Sequence, residues 1–181
     1  IKPQLNTSTP PARIFLITLI LFFLSSLPVL PNQSKKAAVY SGETGSPDLS
    51  LFYTPDDLYR MADQFGADGR MAYVRARFTF DLAWPAVYGV FLLASAAWSL
   101  GILTDQNNRW RLLVFPPLMA VIFDLLENMT AAIVIGRFPS PSFLAAMMAP
   151  YFTLLKWVLV AASFALAVLL SGLALFKLLK K

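Results

Sequence analysis

The stretch LLVFPPLMAVIFDLLENMTAAIVIG, residues 112–136, decides how this chain is read. A helix crosses a hydrocarbon core about 30 Å thick with roughly 20 residues, so the stretch is long enough to span. It is apolar almost throughout, yet it carries Asp124, Glu127 and Asn128. Residues three and four apart share one helix face, so these side chains point the same way. A carboxylate at the centre of a bilayer costs about 2.5–3.5 kcal/mol on insertion scales. Two in one helix are expected to turn from lipid toward other helices or a wet cavity.

Three further apolar runs, at about 14–30, 78–103 and 149–176, have the same character. The 181 residues are 57% hydrophobic and 14% charged, against about 45–50% and about 25% in soluble domains. Lone strands in lipid leave backbone groups unsatisfied, so the runs must be helices. The expected fold is all-α, an integral membrane four-helix bundle over 1–181 with a long loop at 31–77. The first run follows basic residues and ends at Ser25-Ser26-Leu27-Pro28, a pattern shared with secretion signals; it is read as a retained span. The chain has no cysteine and no histidine. That removes disulfides, thiolate metal sites, histidine-based triads and histidine-ligated haem.

Within the loop, residues 32–52 are rich in Ser, Gly and Pro and read as irregular chain. Thr54-Pro55-Asp56-Asp57 then has the form of a helix start: a capping hydroxyl, a proline for the first helical position, and acids at the positive end of the dipole. Leu58, Met61, Ala62 and Phe65 fall on one face and Gly66 stops the helix, predicting a short amphipathic helix lying on the membrane surface or on the bundle. A second helix, capped by Asp68, is expected to run unbroken into the second span. Residues 142–148 are expected to form a separate interfacial segment ahead of Pro150.

Charge sets the expected orientation. Lys2, Arg13, Arg109, Arg111, Lys177, Lys180 and Lys181 flank the spans on the side of the termini, against Asp105 alone, while acids and bases balance in the long loop. The positive-inside rule therefore predicts cytoplasmic termini and an extracytoplasmic loop in a plasma or inner membrane. The basic rim suits anionic lipid rather than nucleic acid.

Polar residues that break the apolar pattern define the candidate site. Arg77, Asp81 and Tyr88 fall near one stripe of the second span, and Lys156 sits in the fourth. On a rise of 1.5 Å per residue, Asp124 lies about 18 Å deep, Glu127 about 13 Å and Lys156 about 9 Å. A lysine stem bridges several ångströms more, so Glu127 and Lys156 are expected to pair. Arg77, Asp81, Tyr88, Asp124, Glu127, Asn128 and Lys156 are thus the candidate ligand-binding residues of an outward-facing pocket. The plainer readings are a polar network that fixes helix register, and a snorkelling anchor for Lys156. Arg70, Arg75 and Arg77 read as headgroup anchors or as a phosphate clamp. Oxygen ligands from Asp81, Asp124, Glu127 and Asn128 would suit Mg²⁺, Ca²⁺ or Na⁺ better than zinc, although no dedicated metal site is assigned.

Three functions fit this pattern. The first is binding or handling of a lipid-like, amphiphilic ligand, with membrane lipids as partners. The second is a non-catalytic subunit of a larger assembly, or a homo-oligomer, docking through Ser163, Ala167 and Ser171. These small residues recur every four positions and permit close helix approach. The third is a cation- or proton-coupled carrier, although four spans without a repeat are few for that task.

Overall fold

The computed structural model describes residues 10–42, 45–105 and 109–180. Lys2, Glu43, Lys181 and the centre of the turn expected at 104–108 lie outside the described residues. Among the described residues six α-helices follow in order: α1 (Pro10–Ser41), α2 (Pro55–Gln64), α3 (Gly66–Arg77), α4 (Phe80–Leu103), α5 (Phe115–Arg137) and α6 (Phe143–Leu179). Short 3₁₀ turns at Pro47–Leu49 and Arg109–Val114 precede α2 and α5. Four helical stretches, Ala12–Ser41, Gly66–Leu103, Arg109–Arg137 and Phe143–Leu179, are long and apolar enough to cross a membrane. The chain is an all-α integral membrane protein.

Several boundaries differ from the sequence-based expectation, each for an identifiable reason. α1 continues through Pro28 and Pro31 to Ser41 instead of ending near residue 30. Proline is a weaker breaker in apolar membrane helices than in soluble ones, and the end of α1 is held by Tyr40, whose ring packs edge-on against Phe65 and Tyr73. Residues 142–148 are no separate segment: α6 runs unbroken across Pro150. Conversely, the expected continuous helix from Asp68 breaks at Phe78–Thr79, where Thr79 takes φ −122° and ψ −86°. The Thr79 hydroxyl donates to the Arg75 carbonyl at 2.7 Å, satisfying one acceptor at the break.

The amphipathic helix forms as its sequence predicts. Thr54 and Asp57 exchange side-chain-to-backbone hydrogen bonds across the first turn, and Pro55 opens the helix. Those bonds, from the Thr54 backbone first, with Arg60 adding to them, hold the exposed Asp57 carboxyl below its ordinary value. Gly66, at φ +63°, supplies the left-handed turn into α3. Leu58, Met61, Ala62 and Phe65 are buried, packed with Tyr53, Tyr73, Ala131, Val134, Ile135, Ala146 and Ala149. The helix therefore lies on the bundle and closes the end that carries the loop, called here the loop end.

α5 and α6 form the most extensively packed pair, with α4 against both. α4 approaches α5 closely at Gly89, where a Cβ would sit 2.5 Å from Val121 Cγ2. On the face of α6 toward α4, Ser163 and Ala167 are buried and Ser171 lies within hydrogen-bond distance of Ser95 (3.0 Å) and Ser99 (3.2 Å). The close approach offered by the small-residue stripe is thus used inside the chain. α1 is different: none of the residues in its most apolar window is buried. It leans on α4 through stacked rings, Phe15 on Trp98 at 4.6 Å and Phe22 on Phe91 at 4.8 Å between centroids.

Candidate functional site

Pro85 gives the site its first element. Lacking an N–H, it leaves the carbonyl of residue 81, four positions earlier, without its helical donor. The Asn128 amide donates to that carbonyl at 2.9 Å. The same amide nitrogen donates to Asp124 Oδ1 at 3.2 Å, and Asn128 Oδ1 accepts from Arg77 Nη1 at 3.2 Å. One carboxamide on α5 therefore ties together α3, α4 and its own preceding turn. Asp124 Oδ2 in turn accepts from the Tyr88 hydroxyl at 2.7 Å.

Arg77 is almost fully buried and anchors the loop end. Its guanidinium grips Asp48 through two contacts, 2.8 Å to Oδ1 and 2.9 Å to Oδ2. Nη2 also lies 2.8 Å from Asp81 Oδ2, close enough to pair although not aligned as a hydrogen bond. The Tyr73 ring lies under the guanidinium at 4.6 Å. Asp48 receives further bonds from the hydroxyls of Ser46 (2.8 Å) and Tyr73 (3.3 Å). Burial works to raise the Asp48 carboxyl, but the guanidinium, with Lys156 and Ser46 assisting, outweighs it and holds the group below its ordinary value. Nearby, burial foremost pushes the Tyr53 hydroxyl well up; it shares a 3.1 Å bond with Thr153.

A second charged pair stands apart. Lys156 Nζ lies 2.9 Å from Glu127 Oε2, with the glutamate side chain wholly inaccessible and the lysine nearly so. Lys156 does not snorkel; it is held inside. Glu127 Oε1 has no hydrogen-bond partner among the described residues.

A cavity of about 700 Å³ lies between α1, α3, α4, α5 and α6. Arg77, Asp81, Tyr88, Asp124, Asn128 and Lys156 line it; Glu127, the remaining sequence-predicted residue, does not and backs Lys156 from behind. The wall mixes polar and apolar groups. Toward the loop end stand Gln33, Ser34 and Lys36 of α1, Arg75 of α3, and Thr79. Farther from it stand Phe22 of α1 and Val160 and Phe164 of α6, while Trp84 lies between Asp81 and Tyr88 on α4. The exposed residues of the lining, among them Ser34, Lys36, Ala72, Arg75 and Thr79, cluster at the loop end, so the cavity opens there. Among the described residues no three acidic side chains converge as metal ligands would.

Sequence reasoning missed Asp48 and the whole contribution of α1. The first sits in an irregular loop whose approach to Arg77 is a tertiary event. The second followed from ending the first span too early. A usable signal was present for Asn128, because Pro85 predicts a free carbonyl one turn before it.

These features define a class, a polytopic membrane protein with a polar network facing an internal cavity. No protein-family model matches the chain, no curated protein is significantly similar to it, and no solved structure matches it.

Proposed function

We propose that this protein binds an amphiphilic, lipid-like molecule in the cavity, with its polar end toward the mouth, over Arg77, Asp81 and Asn128, and its apolar end on Phe22, Trp84, Val160 and Phe164. The observation that supports this reading is the mixed lining of one cavity, which sets charged and amide groups beside aromatic and aliphatic ones. Ligand sites generally combine an apolar wall with a few placed polar groups in a volume of about 300–1,000 Å³. Taking the loop as extracytoplasmic, the pocket faces outward, and its ligand enters from the leaflet or the medium on that side.

The test is native mass spectrometry of the full chain released from neutral detergent. Wild type is expected to retain a lipid under activation that strips loosely held ones. Ala37→Phe and Ala76→Phe, both in the lining, are expected to abolish that retention while the melting temperature stays close to wild type. Equal retention in wild type and both filled variants would contradict a ligand in the cavity.

A further inference from the structure

We infer that the ligand carries an anionic headgroup, gripped at the cavity mouth by Lys36 and Arg75; this rests on the amphiphile reading above. Four cations line the cavity, Lys36, Arg75, Arg77 and Lys156, and three carboxylates, Asp48, Asp81 and Asp124. Arg77 is occupied by Asp48 and Asp81, and Lys156 by Glu127 behind it. Asp124 has both oxygens engaged by Tyr88 and Asn128. Among these cations, only the side chains of Lys36 and Arg75 have no hydrogen bond or ion pair with any described residue, and both residues are exposed.

Their position separates them from ordinary interfacial anchors. The two stand on different helices, α1 and α3, yet line the same cavity, together with the polar side chains of Gln33, Ser34 and Thr79. Arg70, by contrast, donates to the Ala62 carbonyl at 3.0 Å and lies over the Phe138 ring, away from the lining. Arg77 is buried and paired with Asp48 and Asp81. Of the three arginines that sequence alone offered as a phosphate clamp, only Arg75 is free to serve, and its companion comes from α1.

The dimensions agree. Fourteen residues separate Lys36 from Phe22 on α1, a drop of about 21 Å at 1.5 Å per residue. Half a hydrocarbon core is about 15 Å. An acyl chain whose headgroup sits at Lys36 therefore has room to extend as far as Phe22. Two cations close to an anionic lipid contribute about 1 kcal/mol each, an expected preference of about thirty-fold over a zwitterionic lipid of the same chains.

The experiment titrates the purified full chain in neutral detergent with phosphatidylglycerol and with phosphatidylcholine of identical chains, read by native mass spectrometry. Wild type is expected to bind the anionic lipid about thirty-fold more tightly. The Lys36→Gln/Arg75→Gln double variant is expected to lower it to the level of the zwitterionic lipid, whose binding and the melting temperature stay unchanged. Equal affinities in wild type, or a preference that survives in the double variant, would overturn the anionic headgroup while leaving the amphiphile reading standing. Failure to bind either lipid would overturn the amphiphile reading itself. Excess inorganic phosphate is expected not to displace the lipid; displacement, or phosphate binding to lipid-free protein, would assign the mouth to a soluble anion and overturn the lipid source.

Discussion

Glu127 and Asn128 are neighbours in sequence, and both are buried, but they serve two different regions. Glu127 closes on Lys156 in a pair that leaves the glutamate no contact with the cavity. Asn128 faces the cavity and distributes its hydrogen bonds among Arg77, Asp81 and Asp124. The first region is a sealed ionic joint between α5 and α6. The second is a hydrogen-bonded polar wall that lines the cavity. Polar residues on one helix face within a membrane thus need not share one role; the partner each meets decides between scaffold and site.

The largest expected effect breaks the sealed joint. Glu127→Gln leaves the Lys156 ammonium buried without its counter-charge, and removing one member of such a pair costs about 3–5 kcal/mol. Unfolding in mixed detergent micelles should register that loss. The Glu127→Leu/Lys156→Met double variant should recover most of it, because the uncompensated charge is gone. A double variant as unstable as the single would mean the pair is valued for more than neutrality.

Next in size is the polar wall. Asn128→Leu strands the Asp81 carbonyl and removes a bond each from Arg77 and Asp124. Leaving a buried acceptor unpaired costs about 1–3 kcal/mol. Here lipid retention is expected to fall with stability, whereas the Glu127/Lys156 double variant, once its stability is recovered, should keep it. If the Glu127/Lys156 double variant loses lipid while Asn128→Leu retains it, the assignment of the two regions is reversed.

The smallest effect is local and set by pH. Asp48 has its folded value held below the ordinary 3.8 by Arg77. A depressed carboxylate contributes stability that is present above its unfolded value and lost as pH falls through the folded one. Hydrogen exchange over residues 46–53 should therefore stay slow from neutral pH down to about the ordinary carboxylate value. It should rise below that, with Asp48→Asn fast throughout. Protection lost already near pH 6 would show that the contact with Arg77 does not hold the loop.

Much of this architecture is legible in the sequence because bilayer thickness and helix rise leave few choices. The four spans, the capped helix at Pro55 and the inward turn of Asp124, Glu127 and Asn128 follow from run length, cap chemistry and spacing. The 2.9 Å approach of Lys156 to Glu127 agrees with depths counted along two separate helices. What was not legible depends on tertiary closure. Ser46-Pro47-Asp48 has no period, so nothing local aims Asp48 at Arg77 across 29 residues. Pro28 and Pro31 signal a stop in water, and only the packing of Tyr40 on Phe65 and Tyr73 shows why α1 continues and walls the cavity.

Occupancy of the space between α1, α4 and α6 by an acyl chain is tested with a phospholipid carrying a diazirine near the end of its tail. After illumination and peptide mapping, adducts are expected on Phe22, Trp84, Val160 and Phe164, which come from three helices and line the same cavity. Adducts confined to outward-facing positions such as Val158, Val168 and Leu169, all well exposed on the bundle surface, would contradict it.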